Sequence, residues 1–262
     1  MPSLTTPRDF RAVQTLPFCY VCGLQFSSNA AMNRDHVPAR TVFARQDRMP
    51  CLWLPTHPTC NAEHSTDDQK IGQLISLRRF VTPSSGRDRQ LRVSLFSDGS
   101  SAVTNVDVDG IVWRWTRGFH AALYREFFPP DLRTRALQTP FPRGRQTPRG
   151  IVIEGLLPQH AVFVRTIKTN RISRNLDSIR SNNGKLTYEC VWCRTDNTDQ
   201  WMCIFALDLY DWKDLGVTPG HPPRGCAGAY ILPSGQAPAT ATKGVATRII
   251  IPNRDPYDPF AM

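Results

Sequence analysis

Two pairs of candidate metal ligands constrain this chain more than any other feature. Cys19-Tyr-Val-Cys22 supplies the first pair and His57-Pro-Thr-Cys60 the second, each with two residues between its members. That spacing lets both side chains of a turn point at one ion, and two such pairs a few dozen residues apart are the usual framework for tetrahedral Zn²⁺. Cys19, Cys22, His57 and Cys60 therefore form a candidate Cys₃His site, closed and structural. Zinc bound in this way contributes roughly 10–16 kcal/mol of apparent folding energy in small modules. A redox role for Cys19-x-x-Cys22 is disfavoured, because no βαβ pattern surrounds it.

The distribution of ligand types supports a compact site. Residues 1–64 hold four of the eight cysteines and three of the six histidines, in a chain of 262 residues. The cysteines read as metal ligands or buried thiols in a reducing setting, with a cytoplasmic protein expected. No apolar run approaches the roughly 20 residues of a membrane span, and Met1–Phe10 contains no apolar signal core. A formal net charge of +10 favours a polyanionic partner, nucleic acid before membrane, over simple solubility.

Punctuation by proline and glycine divides the chain. Residues 1–17, with Pro2, Pro7 and Pro17, read as an extended lead-in. Phe18 to Phe26 reads as a knuckle turning at Gly23. Cys51 to Leu54 is a short strand candidate, and Ser65-Thr66-Asp67-Asp68 a helix start before Ile71, Leu74 and Ile75. Pro83-Ser84-Ser85-Gly86 places a boundary near residues 82–90, giving a module at 1–85 and a second α+β domain at 86–262. In that second part, 91–96 and 102–106 flank a Ser97-Asp98-Gly99-Ser100 turn as a hairpin. Ile111–Phe128 reads as a helix with Val112, Trp115, Phe119, Ala122 and Leu123 on its apolar side. Residues 129–150 read as a Pro- and Arg-rich loop, and 151–167 as a strand and an apolar segment. Leu186–Arg194 and Trp201–Tyr210 alternate as a second hairpin, with a late strand at Ala246–Ile251.

Between and just after the ligand pairs lie residues suited to hydrolysis. Asp35 and His36 are adjacent, so on an extended segment their side chains point to opposite sides. Asn61 and His64 share a face if the chain is helical after Cys60. A hard divalent ion on Asp and Asn oxygens, beside a neutral histidine, makes a reasonable site for phosphodiester hydrolysis.

Cys19-x-x-Cys22, Asp35-His36-x-Pro38 and Cys60-Asn61, in that order, resemble the HNH endonucleases of the ββα-metal (His-Me finger) type over about residues 18–80. The resemblance implies a zinc-stapled ββα-metal nuclease module with His36 as general base. It implies one Mg²⁺ or Mn²⁺ held by Asp35 and Asn61 with His64 as a third ligand, and products with 5′-phosphate and 3′-hydroxyl ends. Two departures stand out. His57 occupies a position where members with a double Cys-x-x-Cys have cysteine, and Met49-Pro50-Cys51-Leu52-Trp53 lacks the family's middle asparagine. Trp113 to His120 also resembles a helix downstream of the nuclease module in some bacterial HNH proteins.

The rest of the chain is less specific. Cys190-x-x-Cys193 lies in an alternating strand pattern that points the two thiols to opposite faces, so these residues, Cys203 and Cys226 are expected to be structural rather than a second zinc site with His221. His120 and His160 sit in apolar surroundings and are not expected to be ligands. Arg165, Lys168, Arg171, Arg174, Arg180 and Lys185, with only Asp177 opposing them, read equally as a phosphate-tracking surface or a solvated face. The expected protein is an α+β, metal-dependent endonuclease acting on DNA rather than RNA. The alternatives are a non-catalytic zinc module that binds nucleic acid or protein, and an RNA-cleaving enzyme with the same centre.

Overall fold

The computed structural model describes residues 2–27, 31–78, 91–95, 101–132, 134–139, 144–147, 150–153, 160–195, 199–210 and 225–244. It is mixed helix and strand, with four α-helices and a six-stranded sheet among the described residues. The chain opens with β1 (Ser3–Leu4) and α1 (Pro7–Val13) rather than the extended lead-in expected from its prolines. Pro7 sits in the first turn, where its missing N–H costs nothing. Thr6 and Asp9 close a capping box, with Asp9 Oδ2 accepting from Thr6 N at 2.9 Å. Phe10 and Val13 are buried beneath it.

Next come β2 (Asn33–His36) and β3 (Trp53–Thr56), paired antiparallel with Asp35 opposite Leu54 and His36 opposite Trp53. The strand expected at Cys51 thus begins two residues later. α2 (Pro58–Arg78) follows, and it starts seven residues before the expected Ser65. Pro58 takes the first helical position, and the His57 carbonyl accepts from Asn61 N at 3.0 Å. Ser65 is therefore inside the helix, donating to the Ala62 carbonyl at 2.9 Å.

The hairpin expected after the boundary is present as β4 (Val93–Leu95) and β5 (Ser101–Val103), although its turn lies outside the described residues. α3 (Val108–Tyr124) is capped by Asp107, which accepts from Gly110 N at 3.0 Å, and ends at Arg125 in the left-handed conformation. The expected face of α3 (Val112, Trp115, Phe119, Ala122 and Leu123) is buried, but so are Trp113, Arg114, Thr116, His120 and Tyr124. A helix buried nearly all round belongs at the centre of a molecule.

β6 (Arg135–Gln138) and β7 (Gly144–Thr147) lie within the stretch expected to be loop at 129–150, whereas β8 (Gly150–Ile153) falls where the strand from Ile151 is expected. β7 and β8 form a hairpin, and β6 becomes a strand only by pairing with a segment some ninety residues later. Then come α4 (His160–Ile172), β9 (Asp177–Ser181), β10 (Leu186–Arg194), β11 (Trp201–Leu209) and β12 (Cys226–Ile231). The sheet order is β1-β9-β10-β11-β12-β6, antiparallel apart from β1 beside β9. The late strand expected at Ala246–Ile251 falls outside the described residues.

Alternation along β10 assigns the two faces of the sheet. Cys190 and Trp192 pack with Trp113 and Phe119 of α3, whereas Val191 and Cys193 pack with Phe163 and Ile167 of α4. Cys190 and Cys193 thus face opposite ways, as their strand pattern implied, and Cys203 and Cys226 are also buried. The expected boundary at 82–90 lies outside the described residues. Phe10, Tyr20, Leu54 and Ile71 share one cluster with Trp115, Tyr188 and Trp192 from beyond it. Among the described residues, no helix is long and apolar enough to cross a membrane.

Candidate metal centre and adjoining charged cluster

The first ligand pair sits on a tight turn. Phe18 and Gln25 bridge its two arms, Cys19 N donates to the Leu24 carbonyl at 3.0 Å, and Gly23 N donates to the Cys19 carbonyl at 2.8 Å. Gly23 has φ +79°, and a β-carbon there would lie 2.8 Å from the Phe127 ring, so both backbone and packing require glycine. The second pair straddles the start of α2, where His57 and Cys60 stand about one turn apart and face the same way.

Cys19, Cys22, His57 and Cys60 converge, with ligand atoms all within 4.8 Å of one another, and Cys22 Sγ is 3.4 Å from His57 Nδ1. A tetrahedral zinc with Zn–S of about 2.3 Å needs ligand edges of about 3.8 Å, so a slight contraction onto an ion completes the geometry. The group can hold zinc. It is the sole cluster of three or more Cys, His, Asp or Glu side chains with metal-site geometry among the described residues. Burial first, then the crowding of Cys19 and Cys22, raises the Cys60 thiol above its ordinary value. A cation at the centre would reverse that preference by binding thiolates.

Asp35 and His36 separate as the strand geometry requires. Asp35 is 3% exposed and turns towards α2 and α3. Its Oδ2 accepts from the Tyr20 hydroxyl at 2.5 Å and lies 3.7 Å from Arg114 Nη1. Arg114 also pairs with Asp68, so one guanidinium from α3 stands between carboxylates of β2 and α2. Gly118 permits this approach, since a β-carbon there would lie 2.8 Å from Val37 Cγ1. Burial raises the Asp35 carboxyl despite the opposing pull of Arg114, and raises Asp68 to about 6 for the same reason. Desolvation outweighs the ion pair at both.

His64 stands four residues before Asp68 on α2, within electrostatic reach of Asp35. Burial, then Arg114 and Arg117, lowers its pKa. Asn61 is half-buried about one turn earlier. Asp35 and His64 thus lie within reach of each other's charge, while the direct contacts of Asp35 are Tyr20 and Arg114. His36 is on the other face, half-buried, with its pKa lowered to about 4 by burial and then by Arg40, Arg34 and Arg48. It is a neutral imidazole among guanidinium groups at neutral pH.

The loop joining β2 to β3 is held from far along the chain. Val37 N donates to the Leu52 carbonyl at 3.1 Å, Asn182 N to the Pro50 carbonyl at 2.6 Å, and Ala44 N to the Tyr210 hydroxyl at 2.7 Å. These contacts fix the loop between β2 and β3.

Tyr20, Asp68, Arg114 and Arg117 are the residues of this region that sequence patterns did not mark as site residues, Asp68 having been read only as part of a helix start. Arg114 alone carried a local sign, as a charged residue between two tryptophans of an apolar helix. The basic run is also partly reassigned. Arg171 Nη2 is 2.5 Å from Glu189 and 3.7 Å from Asp208, and Arg180 is 3.6 Å from Glu189, whereas Arg165, Lys168 and Arg174 are exposed. No family model, curated protein or solved structure matches this chain.

Proposed function

We propose that β2, β3 and α2 act as a zinc-stapled ββα-metal module, and that the protein is an HNH-type endonuclease cleaving DNA phosphodiester bonds. The observation that carries this reading is the division of labour across β2. Asp35 turns inward to Tyr20 and Arg114, within electrostatic reach of His64, while His36 lies on the opposite side of the strand among the charges of Arg40, Arg34 and Arg48. The arginine charges provide a place for a phosphodiester, and the histidine beside them is unprotonated and able to accept a proton from water. A bound phosphodiester is an anion and raises the histidine pKa from about 4 towards the working range of a general base.

Asp35, Asn61 and His64 offer one carboxylate, one amide and one imidazole, donor types that suit a divalent ion. When bound, Mg²⁺ or Mn²⁺ would stabilise charge on the scissile phosphate and the departing 3′ oxygen. Asp35 would orient through Tyr20, which already fixes its Oδ2 at 2.5 Å. His36 would remove the proton from the attacking water, giving 5′-phosphate and 3′-hydroxyl ends.

The same buried cluster favours a second reading, a non-catalytic nucleic-acid-binding module. Arg114 already balances the charge of Asp35 and Asp68, and so competes with a divalent ion for both. Plasmid cleavage separates the two readings. Wild-type protein should nick supercoiled DNA with Mg²⁺ or Mn²⁺ and not with EDTA, His36→Ala should abolish nicking while retaining zinc, and DNA ligase should reseal the nick. Inactivity on DNA and RNA with either metal would leave the binding module. Cleavage of RNA alone would reassign the substrate.

A further inference from the structure

The Arg34 guanidinium lies over the Trp53 ring, 4.7 Å from its centroid, on the outer face of the β2–β3 hairpin. Register places this pair beside His36. Arg34 and His36 are two residues apart on β2 and share a face, and Trp53 stands directly opposite His36 on β3. Arg34 is thus the diagonal neighbour of Trp53, at a separation that a long side chain and a ring can span. Trp53 is half-buried and Arg34 exposed, so the ring is anchored in the hairpin while the cation meets solvent.

Stacking decides what the guanidinium has left to offer. Contact with a ring uses its planar face and leaves the N–H groups in its plane for an acceptor. Arg34 pairs with no carboxylate among the described residues. Asp35, its neighbour in sequence, is buried on the other side of the strand against Tyr20 and Arg114. The other two arginines whose charge reaches His36 belong to the connecting loop, where Arg48 Nε donates to the Phe43 carbonyl at 3.2 Å. Arg34 is the one that the hairpin itself holds at a fixed strand position from His36. A planar fork of donors on a weakly hydrated cation matches phosphate oxygens.

We infer that Arg34 binds a backbone phosphate of duplex DNA next to the one at His36, and that Trp53 is the positioning residue that holds Arg34 there. The inference rests on the endonuclease reading above and names the residue that grips the substrate beside the reacting group. Two residues along a β-strand advance about 6.6 Å, more than the roughly 3.4 Å axial rise per nucleotide of one DNA strand, so the phosphate at Arg34 is a different one from that at His36. Arg34 covers a face of Trp53 that an unpaired base would need for stacking, which favours a duplex over a single strand.

Anisotropy titration of a short fluorescein-labelled DNA duplex with full-length, zinc-loaded protein, without Mg²⁺ or Mn²⁺ and over a series of salt concentrations, tests the contact. Arg34→Gln should weaken binding about fivefold or more and make the slope of log affinity against log salt shallower by about 0.9, the loss of one phosphate contact. Arg34→Lys should keep the slope and bind about threefold more weakly than wild type, because it lacks the planar fork. Trp53→Leu should behave like Arg34→Lys, and Trp53→Phe should recover most of the affinity. Arg165→Gln removes an equal charge from the exposed side of α4, across the six-stranded sheet from α3, and should leave the slope unchanged. The Arg34 variants should keep wild-type zinc content and melting temperature, so the test does not depend on Trp53→Leu folding. With Mg²⁺, Arg34→Gln should raise KM for plasmid nicking and leave kcat unchanged. A wild-type slope in Arg34→Gln, an equal change in Arg165→Gln, or no duplex binding by wild type would each overturn the inference. Nicking whose KM ignores Arg34→Gln removes the phosphate contact alone, and duplex binding that responds to Arg34 without any nicking removes the nuclease reading alone.

Discussion

Arg114 Nη1 lies 3.7 Å from Asp35 Oδ2, too far for a hydrogen bond and close enough for a charge contact between two side chains that are each almost fully buried. The same guanidinium pairs with Asp68, so it is shared by two acids from two other elements. Removing one partner of a buried pair costs far more than the pair itself contributes, because an uncompensated charge remains.

Arg114→Met should therefore destabilise the protein by about 3–5 kcal/mol, read from urea unfolding. Adding Asp68→Asn should recover part of the loss, since the second substitution removes one of the orphaned charges. A loss below about 1 kcal/mol would show that the carboxyls simply protonate and that the pairing matters little.

The four-ligand centre predicts about one tightly held zinc per chain in protein purified without added metal. Cys19→Ser should lose the zinc and lower the melting temperature. Cys51→Ser should keep both, because Cys51 lies outside the cluster, with its thiol 3.6 Å from Met49 Sδ. Zinc-free wild type would rule out the assignment.

Gly23→Ala should cost about 1–3 kcal/mol through a strained positive φ and displacement of Phe127. Zinc release to a chelator should also accelerate, since the turn presenting Cys19 and Cys22 is forced to shift. A melting temperature equal to wild type would mean that the turn and Phe127 relax freely.

Acid sensitivity should depend on His120. It is fully buried, with Nδ1 2.9 Å from the Tyr230 hydroxyl, and burial lowers its pKa to about 3. An unfolded histidine titrates near 6.5, so between about 3 and 6.5 the unfolded chain binds more protons than the folded one. The stabilisation is complete above about pH 6.5 and is lost as pH falls towards 3. Asp35, Asp68 and Asp177, whose carboxyls are raised, act in the opposite sense over the acidic range. The decisive quantity is therefore the difference between wild type and His120→Gln, and the variant should lose less stability between pH 7 and 4.5. Parallel curves would assign the acid response elsewhere.

Local chemistry by itself determined the two ligand pairs, the opposed side chains of Asp35 and His36, the α3 helix and the β10–β11 hairpin. Each depends on spacing or on a period of about two or 3.6 residues, which neighbouring residues already encode. One local signal pointed the wrong way when read by composition. Pro7 marked a helix start rather than an extended lead-in, because a first-turn proline has no hydrogen bond to lose, and Pro58 opens α2 in the same way.

Only the tertiary structure decided the rest. β6 is a strand because β12 lies beside it, and the β2–β3 loop is held by Asn182 and Tyr210 from distant segments. The charged cluster exists because α3 brings Arg114 between Asp35 and Asp68. A charge can be kept in a core only where folding delivers its partners, and no spacing along the chain records which partners those will be.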